Sequence, residues 1–324
     1  MAKVSIGTAL GAGFRLFRAR PGLIPAWGLA WLVLGILPQV LGYLVLWPDL
    51  LAAYTPVMRD LAAGLDPDPE GPALVALQQR MLPWQLLQFP LALAGQSIFF
   101  AAVCRAVLTP SDRRFAYLRF GRPELQLVLV QLAIIGIIIL TVVAALILGT
   151  FIVLGITLAA GGQGGDVRGL ATFGVALVGM ILFGWAALRL SLAMPMTVTE
   201  GRFRLLESWS LTRGHGWKLF GLAVALVALL LLIEVAVVIV AVILAVVGGV
   251  AGSLAGIGAH LQALAAQPPE AWAAQLAPWA VLGLILYGML AAVLQTLMAA
   301  PFIDVYRQLT AGDEAQASPA STWA

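Results

Sequence analysis

One cysteine and two histidines are all that this chain of 324 residues carries of the commonest metal-binding and nucleophilic side chains. The lone Cys104 excludes an internal disulfide. Neither His215 nor His260 has a Cys or a second His at ligand spacing, so no metal set can be assembled. The GxSxG, HExxH and P-loop patterns are missing, and so are paired acids inside the apolar stretches. No catalytic residue, metal ligand or cofactor-binding residue can be named, and the expectation is a protein that is not an enzyme and holds no cofactor. Charge is scarce as well: 10% of residues are Asp, Glu, Lys or Arg, against about 25% in soluble domains. That shortage excludes an ordinary soluble domain.

What is present is apolar length. Hydrophobic residues make up 62% of the chain, in continuous runs of about 20 or more, enough to cross a bilayer as helix. Six runs are readable, at 23–46, 84–108, 124–158, 169–198, 217–250 and 278–309. None alternates with period two, so helices rather than barrel strands would satisfy the backbone in lipid. The expected fold class is all-α, a polytopic integral membrane bundle of six transmembrane helices. It would form one domain over 1–310, followed by a disordered tail over 311–324. Charges continue to Arg20, and the apolar run after them exceeds the core of a signal peptide, so no cleavable leader is read.

The cations give an orientation. Of the 18 Lys and Arg residues, only Arg59, Arg80 and Arg168 lie on one side of the expected membrane. The other side collects Lys3, Arg15, Arg18 and Arg20 before the first span, then Arg105, Arg113, Arg114, Arg119 and Arg122 between spans 2 and 3. Arg189, Arg202, Arg204, Arg213 and Lys218 follow between spans 4 and 5, with Arg307 closing span 6. The positive-inside rule makes that crowded side cytoplasmic and puts both termini inside. The basic balance is therefore a topology signal, no nucleic-acid partner is implied, and anionic lipid headgroups at the cytoplasmic face are the expected partners.

The basic stretches also resemble one another. GFRLFRARPGLIP (13–25) lines up with SWSLTRGHGWKLF (208–220), placing Phe14 on Trp209, Leu16 on Leu211 and Arg18 on Arg213. AYLRFGRPELQL (116–127) fits the same frame and contributes Arg122. Each stretch leads into a span, and each return span ends in arginine: Arg105, Arg189 and Arg307. The implied arrangement is three pseudo-repeated helical hairpins, about 1–108, 109–199 and 200–310, all entering from the cytoplasm.

The same frames set Gln39 and Thr141 opposite Glu234, the carboxylate inside LLIEVAVVIV (231–240). An ionised carboxylate deep in hydrocarbon is costly, so it is expected to be neutral, paired or facing a wet cavity. Ala223, Ala241, Ala245, Gly248 and Gly252 share its helical face, and small residues let helices approach closely. Glu234 is thus expected to face protein, with Thr141, Gln295 and Thr296 as partners in a polar layer. Three readings stand: one structural interhelical hydrogen bond; proton coupling, cation binding or lipid-headgroup handling; or a membrane-exposed or mis-registered residue.

Gly248, Gly252 and Gly256 form a ladder for close helix packing, within the chain or between copies in a homo-oligomer. GGQGGD (161–166) lacks the Lys-Ser/Thr of a phosphate loop and reads as a short outer turn. The connection 47–83 is expected to hold two short apolar helices, about 50–64 and 73–82, around the acidic turn DPDPEGP (66–72), with Trp47 and Trp84 as interfacial anchors.

ESWSLTRGHGWKLF (207–220) and the closing APFIDVYRQL (300–309) resemble the membrane domain of some bacterial glycerophosphoryl diester phosphodiesterases, and related stand-alone six-helix membrane proteins of unassigned function. The soluble metal-dependent domain of those enzymes has no counterpart in these residues, so the resemblance carries over no catalytic residue. It implies a bacterial inner-membrane protein. The expected role is a non-enzymatic scaffold or a part in envelope homeostasis. The alternative is a transporter or lipid-translocating protein using the polar layer around Glu234.

Overall fold

The computed structural model describes residues 5–62, 71–111, 114–159, 165–247 and 269–317. Among them every regular element is helical. In chain order these are α1 (Ile6–Leu10), α2 (Ala12–Ala19), α3 (Leu23–Trp31), a π-turn (Leu32–Ile36), α4 (Leu37–Val45), α5 (Trp47–Ala62) and α6 (Pro72–Leu108), followed by a short 3₁₀ turn (Arg114–Tyr117). Then come α7 (Arg122–Ala159), α8 (Gly165–Leu190), α9 (Ala193–Glu200), α10 (Glu207–Leu211), α11 (Gly216–Val247) and α12 (Pro269–Ala317). Among the described residues, six stretches are long and apolar enough to cross a membrane: Leu23–Val45, Pro72–Leu108, Arg114–Ala159, Ala171–Glu200, Gly216–Leu244 and Ala280–Ala311. Each overlaps one of the six apolar runs of the sequence, the second and third beginning about ten residues earlier.

Proline accounts for most local departures from straight helix. Pro38 has no N–H for the carbonyl of Leu34, and just before it the helix widens into the π-turn, with Leu37 N–H donating five residues back to Leu32 O. Gln88 Nε2 donates to Pro38 O at 2.7 Å. Pro195 cannot donate to Ser191, and the fourth apolar run breaks there into α8 and α9 instead of running unbroken over 169–198. Pro123 sits at the start of α7, where its missing N–H would be unused in any case.

Two expectations change. The short helix expected at 73–82 does not stand alone: α6 runs unbroken from Pro72 through Pro83 and Pro90 into the second apolar run. The tail expected from 311 begins as helix: α12 continues to Ala317, although Gly312 and Asp313 are poor helix formers. Gly248, Gly252, Gly256 and His260 lie outside the described residues.

The chain divides into two compact units whose boundaries do not follow the hairpin limits of the sequence. One gathers Met1–Phe14, Phe100–Val224 and Ala299–Ala324. Its core packs Leu192, Met196, Leu219, Leu222, Val305, Tyr306 and Leu309 together. A second cluster joins Val130 of α7 to Leu190, Ala193 and Leu205, and α7 packs along α8. The other unit gathers Arg15–Phe99 and Ala225–Met298. There Trp27 meets Phe17 and Phe99 edge-on, with ring centroids 6.1 and 5.4 Å apart. At Gly28 α3 crosses α12 closely: an added Cβ would lie 2.9 Å from Met289 Cα. Asp49 of α5 pairs with Arg80 of α6.

Candidate functional site

The three arginines that close the return helices all lie in the first unit, and the structure treats them differently. Arg105, in the last turn of α6, pairs with Glu124, in the first turn of α7. The carboxylate is buried, with 1% of its side chain exposed against 16% for the guanidinium. Arg105 Nη1 also donates to Tyr117 O at 3.2 Å, and Tyr117 Oη donates to Pro110 O at 3.1 Å. These bonds hold a tight connection in which Phe115, Ala116 and Tyr117 all have positive φ, of 52°, 53° and 67°. Left-handed backbone costs about 1–2 kcal/mol for each non-glycine residue, so the buried pair and Tyr117 offset a strained turn.

Arg307 pairs with Asp304, one turn earlier on α12 and itself buried. Gln308 Nε2 donates to Asp304 Oδ2 at 2.8 Å, and Gln308 Oε1 accepts from Ser5 N–H at 2.8 Å. The amino-terminal segment is thereby tied to the end of α12.

Arg189, in the last turn of α8, has no acid among the described residues. Its guanidinium carbon lies 5.2 Å from the centroid of Trp185 and 5.8 Å from that of Trp209. The two indoles meet edge to face at 4.7 Å and 84°. The clamp exists because α10 is fastened to the end of α8. Ser208 Oγ donates to Arg189 O at 2.7 Å, capturing a carbonyl left open where the helix stops, and Thr212 Oγ1 donates to Ser208 O at 2.9 Å. Nε and Nη1 of Arg189 are buried and have no hydrogen-bond acceptor; the indole faces take that role by cation–π attraction.

Beside the clamp, Arg204 binds Glu200 through Nε at 2.8 Å and Glu207 through Nη1 at 3.0 Å. The Glu207 carboxyl is held below the ordinary range, first by its own backbone N–H and then by Arg204. Arg204 is pushed up, first by its bond to Glu207 and then by the charge of Glu200. Glu207 is therefore engaged locally. Arg18, Arg122 and Arg213 are exposed.

Glu234 is exposed on α11 rather than turned into protein, and it has no partner among the described residues. The helix is apolar on every side, so sequence periodicity carries no information about which face is inward. Thr141 and Thr296 each donate to their own helix, to Ile137 O and Ala292 O, both at 2.7 Å. Gln295 is half-buried. Gln39 is exposed and lines a small groove with Gln85, Gln88 and Phe89 near the π-turn.

A larger groove of about 720 Å³ runs between α7 and α8, lined by Thr141, Gly149, Thr150, Thr157, Thr172 and Val175 among mostly apolar side chains. Thr150 and Thr157 bond their own helix in the same way as Thr141. Glu124, Trp185 and the clamping role of Trp209 have no advance signal beyond the aromatic and basic character of their stretches. No family model matches the chain, and neither the curated proteins nor the solved structures give a match.

Proposed function

We propose that this chain is a non-enzymatic integral membrane protein of the bacterial inner membrane, with both termini cytoplasmic, acting as a scaffold in the cell envelope. The observation that carries the reading is the dress of its long helices. Leu140, Leu146, Phe151 and Leu158 of α7, Phe173 and Met180 of α8, and Leu232 and Val238 of α11 are all exposed. In water such surfaces far exceed what a soluble monomer presents; against acyl chains they are matched, while the helices satisfy their own backbone. Thr141, Thr150, Thr157 and Thr296 direct their hydroxyls to carbonyls of their own helices, while Thr199 and Tyr306 join α9 to α12 at 2.9 Å, which supports a role in holding neighbours rather than moving a polar solute. Anionic lipids at the arginine-rich end are the expected partners.

A second reading, lipid translocation, draws on the threonine-bearing groove between α7 and α8. Reconstitution into vesicles with a fluorescent phospholipid separates the two. A scaffold leaves the inner-leaflet probe protected from dithionite at the rate of protein-free vesicles. Accelerated quenching would reject the scaffold in favour of translocation.

A further inference from the structure

We infer that Arg189, in its tryptophan clamp at the end of α8, is a binding site for a phosphate oxyanion, supplied by the headgroup of a membrane phospholipid. The inference rests on the membrane reading above and is independent of the scaffold role.

The first line of argument is internal comparison. Three arginines occupy matching places in the sequence, each closing a return helix. Glu124 neutralises Arg105 and Asp304 neutralises Arg307. Arg189 alone of the three has no carboxylate among the described residues. Glu207, on the element packed against it, is already bound to Arg204 and to its own backbone. Two indole faces attract the guanidinium, but they supply no counter-charge to its full positive charge.

Geometry then says where the missing anion sits. Nε and Nη1 are enclosed, which leaves Nη2 as the nitrogen open to a ligand. Nη2 lies 3.9 Å from the place a Cβ on Gly216 would occupy, and outside residues 215–217 and the backbone of α11 itself no other described atom comes within 4 Å of that place. Gly216 is the first residue of α11, a helix of 32 residues. Its first-turn N–H groups have no acceptor within the helix and carry the positive end of its dipole. An oxyanion lodged there would meet Nη2 on one side and those N–H groups on the other, with the exposed Lys218 nearby.

The flanking chemistry selects the class of ligand. Tryptophans gather at the headgroup level of a bilayer, with the indole body in the apolar layer. Trp185 is 48% exposed, offering a surface for the glycerol and upper acyl chain of a lipid whose phosphate reaches Nη2. Arginine suits phosphate because its planar fork can give two parallel bonds.

Native mass spectrometry of the full chain, delipidated in detergent, provides the test. Three probes are titrated separately: phosphatidylglycerol, a glycolipid of the same chains without phosphate, and inorganic phosphate. The wild type should hold one phosphatidylglycerol that Arg189→Gln binds about tenfold more weakly, the loss expected for a charge-assisted hydrogen bond. Arg80→Gln, on the opposite side of the expected membrane, should bind like the wild type, and glycolipid binding should be the same in all three. If inorganic phosphate displaces the lipid at low millimolar concentration, the site stands with a soluble anion as its source; if it does not, the lipid is the source. A second measurement needs no variant: adding phosphatidylglycerol to the wild type should slow amide exchange over 207–219. Equal lipid retention by wild type and Arg189→Gln overturns the inference. So does unchanged exchange over 207–219 should the variant fail to fold.

Discussion

Glu124 and Glu234 are both carboxylates of long apolar helices, and their surroundings assign them opposite weights. Glu124 is buried against Arg105, so removing it strands a guanidinium at the base of a strained turn. Glu124→Ala should destabilise the protein by about 3–5 kcal/mol, read as a fall in thermal midpoint in detergent. Glu124→Ala combined with Arg105→Met should recover part of that loss. Glu234 is exposed and has no hydrogen-bond or ion-pair partner among the described residues, so Glu234→Leu should change stability by no more than about 0.5 kcal/mol and leave membrane insertion intact. A large loss in Glu234→Leu would show that the acid has a protein partner after all.

Helix crossings and connections are set by small residues and local charge. Gly28 lets α3 meet α12 in direct contact, and Gly28→Ala would press its Cβ to 2.7 Å from Met289 Cγ. An over-packed crossing costs about 1–3 kcal/mol, measurable by the same thermal scan. Gly42 has a similar role under Trp84, whose indole occupies the place of an added Cβ. In the connection from α9 to α10, the depressed carboxyl of Glu207 gives a pH prediction. Its contribution is complete above the ordinary carboxylate value of about 4.3 and is lost only as pH falls through the lower folded value. A carbon-13 titration of Glu207 should therefore show a midpoint below that of a free glutamate. Arg204→Gln should raise it part of the way, since the backbone bond remains.

The limits of these elements were legible to the extent that apolar length fixes them. Arg122 and Pro123 announce the start of α7, whereas the break after Leu190 needs Pro195 to be read as a stop inside an apolar run, and the unbroken course of α6 needs Pro83 to be read as no stop. The closing arginines Arg105, Arg189 and Arg307 stand out by position. Their partners do not: Glu124 reads as an ordinary acid of a first helical turn, and Trp185 is one aromatic among many on an apolar helix. The inward face of Glu234 was inferred from a small-residue stripe that an all-round apolar helix cannot make decisive.

At the scale of the molecule, the central claim is a chain threaded through a membrane with its arginine-rich connections together on one side. The sole cysteine, Cys104, is buried, so a Cys104→Ser background is a clean start for accessibility mapping. Phe120 and Phe203, in the connections before α7 and before α10, are exposed, as is Ala73 at the start of α6. Single cysteines at these three positions are treated with a membrane-impermeant maleimide, in intact cells and in inverted vesicles. The account predicts that positions 120 and 203 label only from the cytoplasmic face and position 73 only from the opposite one. Labelling of 120 and 203 from opposite faces would contradict it.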